Sequence, residues 1–249
     1  MTRLWKVIAS IWTWMLLAAA ILIIFPLMVV TRIVTAPFDR GRYAVGRLFR
    51  YTAIISTAGN PLWHFRRTGV QIRDPRRPYV VVSNHESFAD ILMISYLPWE
   101  MKWLSKAELF RIPFVGWMMQ LAGDIPVQRG FGPSAIEALA QCREVLANRV
   151  SVMIFPEGTR SPTGELLPFK DGAFRLAIEA GVPVLPLAVA GTRNALPKRG
   201  WVMGPSVAEV RVLEPIDTTG MTEADVGALR DRVRGLIGDA HATMVGARS

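Results

Sequence analysis

His85 and Asp90 stand five residues apart in Asn84-His85-Glu86-Ser87-Phe88-Ala89-Asp90. An imidazole held by a carboxylate has its tautomer set, and such a pair acts as a general base toward a hydroxyl proton. Residues five apart on a continuous helix point about 140° away from each other. The two therefore meet only if His85 lies in a turn and Asp90 in the first helical turn. The flanks allow this: residues 79–82 read as a buried strand, and residues 91–94 as the apolar start of a helix. Open α/β sheets place their chemistry at such strand-to-helix turns. A plainer reading stands beside it, because Ser87-x-x-Asp90 has the form of a capping box in which Asp90 serves only the helix.

A second strand exit carries Pro156-Glu157-Gly158-Thr159-Arg160-Ser161 after the apolar run 151–155. Gly158 lets a ligand approach the backbone closely. Arg160 offers planar donors that match a phosphate, and Glu157 can accept from a hydroxyl. A third exit, Gly123-Asp-Ile-Pro-Val-Gln-Arg129, ends in an arginine; Lys106 follows one expected strand and Lys170 precedes one expected helix. These four bases could converge on one phosphate, although each alone also reads as a solvated surface charge. There is no G-x-S-x-G elbow, P-loop or G-x-G-x-x-G in its strand–helix context. His85-Glu86 opens like a zinc helix, but Ala89 occupies the place of the second histidine. With three histidines and one cysteine, no metal or other cofactor is expected.

The elements that must position these groups follow from hydrophobic patterning. Strands are expected at 79–83, 101–104, 124–128, 151–155, 182–190 and 208–213. Helices are expected at 90–96, 115–121, 133–148, 171–180 and 222–245. This alternation predicts an α/β fold: a mixed, largely parallel sheet flanked by helices. The two prolines of Val182-Pro-Val-Leu-Pro-Leu187 predict an interrupted or edge strand. The last helix reads as an amphipathic cover for the sheet, and Cys142 as a small packing residue compatible with a reducing compartment.

The formal charge is +9, and its distribution is uneven. Residues 1–70 hold nine Lys/Arg against the single acid Asp39, while the remainder is nearly balanced. Those bases flank apolar segments, which favours an anionic membrane surface over nucleic acid. Residues 7–31 form an uncharged run of 25, long enough to span a bilayer core, with Trp5, Trp12 and Trp14 near one end and Pro26 expected to kink it. The run continues past the small residues at 18–20, so a cleaved signal peptide is not expected. Two bases precede the run and five follow closely, which would place the body on the cytoplasmic side. Residues 40–58 mix arginines with apolar residues and suit a helix lying in the interface. A monotopic helix pair therefore competes with true spanning, and a buried core pair is the plain alternative. The expected division is a membrane-associated two-helix segment, residues 1–65, and an α/β domain, residues 66–249.

Together the blocks at 84–90, 123–129, 155–161 and 182–187 resemble the glycerolipid acyltransferase family of the 1-acyl-sn-glycerol-3-phosphate acyltransferase type. The resemblance covers about residues 75–190, and Pro126 departs from the more usual aromatic or aliphatic residue. It implies transfer of a fatty acyl group from acyl-CoA or acyl-carrier protein to a lysophospholipid acceptor, giving phosphatidate in phospholipid biosynthesis. It also implies that His85 and Asp90 are catalytic, and that Arg129, Glu157, Gly158, Thr159 and Arg160, with Lys106 and Lys170, bind substrate. Membrane lipids are the implied surroundings, at the cytoplasmic side of a cell (inner) membrane. Another lysolipid such as a lyso-ornithine lipid, glycerol 3-phosphate as acceptor, a hydrolase, and a non-catalytic lipid-binding protein are the competing readings.

Overall fold

The computed structural model describes residues 2–128, 130–197 and 200–247. Two helices, α1 (Arg3–Thr35) and α2 (Tyr43–Ala58), precede β1 (Trp63–Gly69), β2 (Val80–Ser83), α3 (Ala89–Ile94), β3 (Met101–Lys106), α4 (Val115–Ala122) and β4 (Ile125–Val127). Then follow α5 (Gly132–Ala147), β5 (Ser151–Ile154), α6 (Gly172–Ala180), β6 (Val184–Ala190), β7 (Ser206–Val212) and α7 (Val226–Gly246). Among the described residues the strands make one seven-stranded sheet in the order β1-β7-β6-β2-β5-β3-β4. Its pairings are parallel except β6 with β7.

The central strands are buried along their whole length, as strands covered on both faces must be. Alternation divides their side chains between two cores. Val80, Val82, Val152 and Ile154 face Cys142, Phe174, Val233 and Ile237 of α5, α6 and α7. Val81, Met153, Leu185 and Leu187 face Met93, Leu97 and Trp103. Each such apolar side chain stabilises the fold by roughly 1.5–3 kcal/mol, so the sheet is a rigid platform for the loops at its edge.

Two expectations are corrected. The proline-bearing strand is neither interrupted nor at an edge: β6 is continuous between β2 and β7. Pro183 precedes it, and Pro186 directs its missing donor to the point where β7 ends, with the Leu213 amide donating to the Pro186 carbonyl at 3.0 Å. The sheet also has a strand that patterning missed. In β1, Arg66 and Arg67 interrupt the alternation, but an edge strand tolerates charge, and Arg66 Nε reaches Glu209 Oε2 at 2.8 Å.

The N-terminal helices pack on this body. Along α1, Ala9, Thr13, Ala20, Ile24 and Met28 are buried, while Leu22, Ile23, Leu27, Ile33 and Val34 face outward. The helix continues unbroken through Pro26 and is long and apolar enough to cross a membrane. Trp12 and Trp14 donate their indole N–H groups to the carbonyls of Gly59 and Trp201, each at 3.0 Å. In α2 both arginines turn toward protein. Arg47 Nη1 donates to Leu97 O at 2.9 Å, and Arg50 is buried with Asp124 at 2.6 Å and Glu100 at 3.2 Å. Lys102 joins Glu100 at 3.1 Å. Gly46 admits this cluster, since a Cβ there would lie 2.0 Å from Glu100 Oε1.

Candidate active site

Residues 84–90 leave the carboxyl end of β2 and turn directly into α3. Asn84 prolongs the sheet into this turn: its Nδ2 donates to Val189 O, and its Oδ1 accepts from Val189 N, both at 2.8 Å. The turn brings His85 Nδ1 to 2.7 Å from Asp90 Oδ2. The same oxygen accepts from the amides of Glu86 at 2.8 Å and Ser87 at 2.9 Å, and Asp90 Oδ1 accepts from Thr192 Oγ1. Asp90 thus holds the backbone of the turn as well as the imidazole, whereas the capping box does not form, since α3 is N-capped by Phe88 without a side-chain hydrogen bond. Because a carboxylate only accepts, the neutral imidazole carries its proton on Nδ1 and presents the Nε2 lone pair. Among the described residues Nε2 has no protein partner.

The loop after β5 is stitched onto this turn. The His85 ring stacks on Phe155 with centroids 3.9 Å apart. Ser161 N donates to His85 O at 2.8 Å. Glu157 accepts from His85 N at 2.8 Å and from Leu167 N at 3.1 Å, so both its oxygens tie backbone together. Burial pushes the Glu157 carboxyl from the ordinary 4.5 up to about 7, against those two hydrogen bonds, with Asp90 and Glu86 adding to the rise. A carboxyl whose folded value exceeds its unfolded value favours folding at low pH and loses that contribution as pH rises from about 4.5 through about 7. The stability advantage of wild type over Glu157→Gln is therefore expected to shrink across that window in thermal melts. A difference that is flat or grows with pH would contradict the shift.

Gly158 takes φ +70°, and a Cβ there would meet Lys170 Nζ at 2.9 Å, so the ammonium lies over the glycine. Both line a groove of about 380 Å³ with Phe155, Leu104, Val127 and Phe131. Arg160 is half-buried with no hydrogen bond or ion pair among the described residues, and Thr159 is exposed. Lys106, at the carboxyl end of β3, is paired with Glu108 at 3.0 Å on the surface. Arg129 lies outside the described residues; its neighbours Gln128 and Gly130 line the groove. Sequence reasoning gave no role to Asn84, Phe155 or Thr192. The first two sit inside the motif blocks, whereas Thr192 is 102 residues from Asp90 and carries no local signal.

A family model described as acyltransferase matches residues 64–190, about half of the chain, from β1 to the end of β6 and across both loops. The chain belongs to the acyltransferase family. Human 1-acyl-sn-glycerol-3-phosphate acyltransferase beta is 35% identical to this acyltransferase over 193 residues, covering 75% of this chain and 69% of the relative. The human alpha enzyme is 41% identical over 162 residues, covering 64% of this chain and 57% of the relative. The chain thus spans little more than half the length of some curated relatives it matches. The crystal structure of the 1-acyl-sn-glycerophosphate acyltransferase PlsC from Thermotoga maritima superposes with a TM-score of 0.80 at 25% identity, covering 96% of each chain. The acyltransferase shares that fold over nearly its whole length.

Proposed function

We propose that this protein transfers a fatty acyl group from acyl-CoA or acyl-carrier protein to the free hydroxyl of 1-acyl-glycerol-3-phosphate, giving phosphatidate. The 2.7 Å His85–Asp90 pair, with Nε2 unpartnered among the described residues and the ring stacked on Phe155 of the groove wall, carries this reading. His85 Nε2 takes the hydroxyl proton as the alcohol oxygen attacks the thioester carbonyl. The C–O bond forms, the C–S bond breaks as the intermediate collapses, and the thiolate leaves with the proton returned from the imidazolium. The thioester supplies its own good leaving group, so no acyl-enzyme is required. The apolar wall of the groove suits an acyl chain, while Arg160, Lys170 and Arg129 suit the acceptor phosphate, with Gly158 and Thr159 leaving the backbone open to it. Lys106 is a further candidate at the adjoining strand end. The test is thiol release from one acyl-CoA against a panel of lysolipids and glycerol 3-phosphate. Release that depends on lysophosphatidate supports the reading. Release without any acceptor would make the protein a hydrolase, and release with another headgroup would move the assignment to that lipid.

The outward apolar face of α1 supports membrane attachment, and the excess of bases after its apolar run favours the cytoplasmic side of a cell (inner) membrane. Because α1 packs on the body near both its ends, we favour a monotopic placement, with the outward face in the bilayer and the acceptor entering sideways. Leu22→Lys with Ile23→Lys replaces two of the outward apolar side chains whose burial in the interface would hold α1 to the membrane. The pair is expected to lower activity on vesicle-embedded long-chain acceptor at least about tenfold relative to a short-chain soluble one. Equal activity ratios before and after the change would rule out this use of α1.

A further inference from the structure

Helix α7 lies beyond the residues that the family model matches, and it does more than cover the sheet. Val226, Leu229, Val233, Ile237 and Met244 form its buried stripe. At about 100° per residue, Arg230, Arg234 and His241 fall on a second stripe within about 40° of one another. Each of the three meets a loop of the active site. Arg230 Nη1 donates to Asp171 Oδ1 at 2.7 Å, where α6 begins. Arg234 donates to Leu167 O at 3.2 Å and to Leu166 O at 3.1 Å. His241 Nε2 lies 2.6 Å from Glu86 Oε1, with both side chains largely buried. Two of these contacts stand one residue's backbone away from the chemistry. The Glu86 amide donates to Asp90 Oδ2, and the Leu167 amide donates to Glu157 Oε2.

We propose that α7 is a brace in which His241 positions the catalytic turn through Glu86, and Arg234 positions the loop that follows Glu157. The role rests on the acyl-transfer reading above. Without His241, the Glu86 carboxylate would be left buried near Asp90 and Glu157 with no partner. A buried unpaired charge is costly enough to displace the segment that carries it. The segment here is the turn that aligns Asp90 with His85, and a misplacement of about 1 Å can cost as much as a hundredfold in rate.

The test is kinetics of the full-length enzyme in detergent, with one acyl-CoA and lysophosphatidate. His241→Ala is expected to lower kcat about tenfold with acceptor KM within about twofold. His241→Gln, which keeps an N–H donor, is expected to recover most of that loss. In a Glu86→Ala background the His241→Ala change is expected to cost little more, because the contact is already gone. Arg234 is exposed, so Arg234→Ala is not expected to threaten folding; it is expected to raise acceptor KM several-fold with little change in kcat. The proposal is overturned if His241→Ala turns over within twofold of wild type, if the Gln and Ala variants lose equally, or if the two sites act independently. If His241→Ala does not fold, Arg234→Ala decides, and an unchanged KM overturns the brace. If wild type acylates no lysolipid, the acyl-transfer reading fails. The brace is then judged by amide exchange, with faster exchange at residues 84–90 in His241→Gln or His241→Ala supporting it and unchanged exchange overturning it.

Discussion

Replacing His85 by alanine is expected to lower acyl-transfer turnover by at least about 10²-fold, within the 10²–10⁴ range that a positioned general base contributes. The acceptor KM should move little, because the groups suited to the phosphate sit on the loop after β5 and on α6's approach, not on the imidazole. The geometry makes the loss specific to proton transfer. Asp90 Oδ2 holds Nδ1 at 2.7 Å and is itself held by two amides, so the ring can hardly swing to another tautomer or rotamer. Removing the ring also exposes the face of Phe155 on which it stacks, and some stability will be lost. The measurement is therefore kcat and KM for acceptor, with a thermal melt confirming that the variant is folded at the assay temperature. A loss below tenfold in a folded variant would mean that His85 is not the base.

The second large effect concerns folding. Arg50→Met is expected to destabilise the protein by about 3–5 kcal/mol, the usual cost of removing one partner from a buried ion pair. Arg50 joins Asp124 at 2.6 Å and Glu100 at 3.2 Å, and all three side chains are almost fully buried. Methionine fills much of the volume, so lost packing is the smaller term. What remains is Asp124, still accepting from the Trp103 amide at 3.0 Å, and Glu100 with Lys102 as its one remaining cation at 3.1 Å. Burial already pulls the Lys102 ammonium below its ordinary value, so it compensates two carboxylates poorly. Denaturant titration of wild type and variant decides the matter, and a difference below about 1 kcal/mol would show that water or rearrangement satisfies these acids. The same cluster explains why deleting both N-terminal helices is a poor test of membrane attachment. Such a deletion removes Arg50 and would unfold the body, whereas charges on the outward face of α1 leave the cluster intact.

The amino-acid order by itself determined the two strand-to-helix turns and the sheet's largely parallel character. Those features arise from local causes: apolar runs of strand length, helical periodicity, glycine at a positive φ, and the five-residue spacing of His85 and Asp90. Each can be read from neighbouring residues because backbone sterics and the in–out pattern act over a few positions. Tertiary structure alone decided which long polar side chains find which partners. Arg50 falls among the bases of the apolar N-terminal segments, yet it meets Asp124, 74 residues away; His241 meets Glu86 across 155 residues, and Thr192 meets Asp90 across 102. A flexible charged side chain has no local preference strong enough to announce its target. Its position is set by the penalty of burying it alone, and that penalty exists only once the helices and sheet have closed around it.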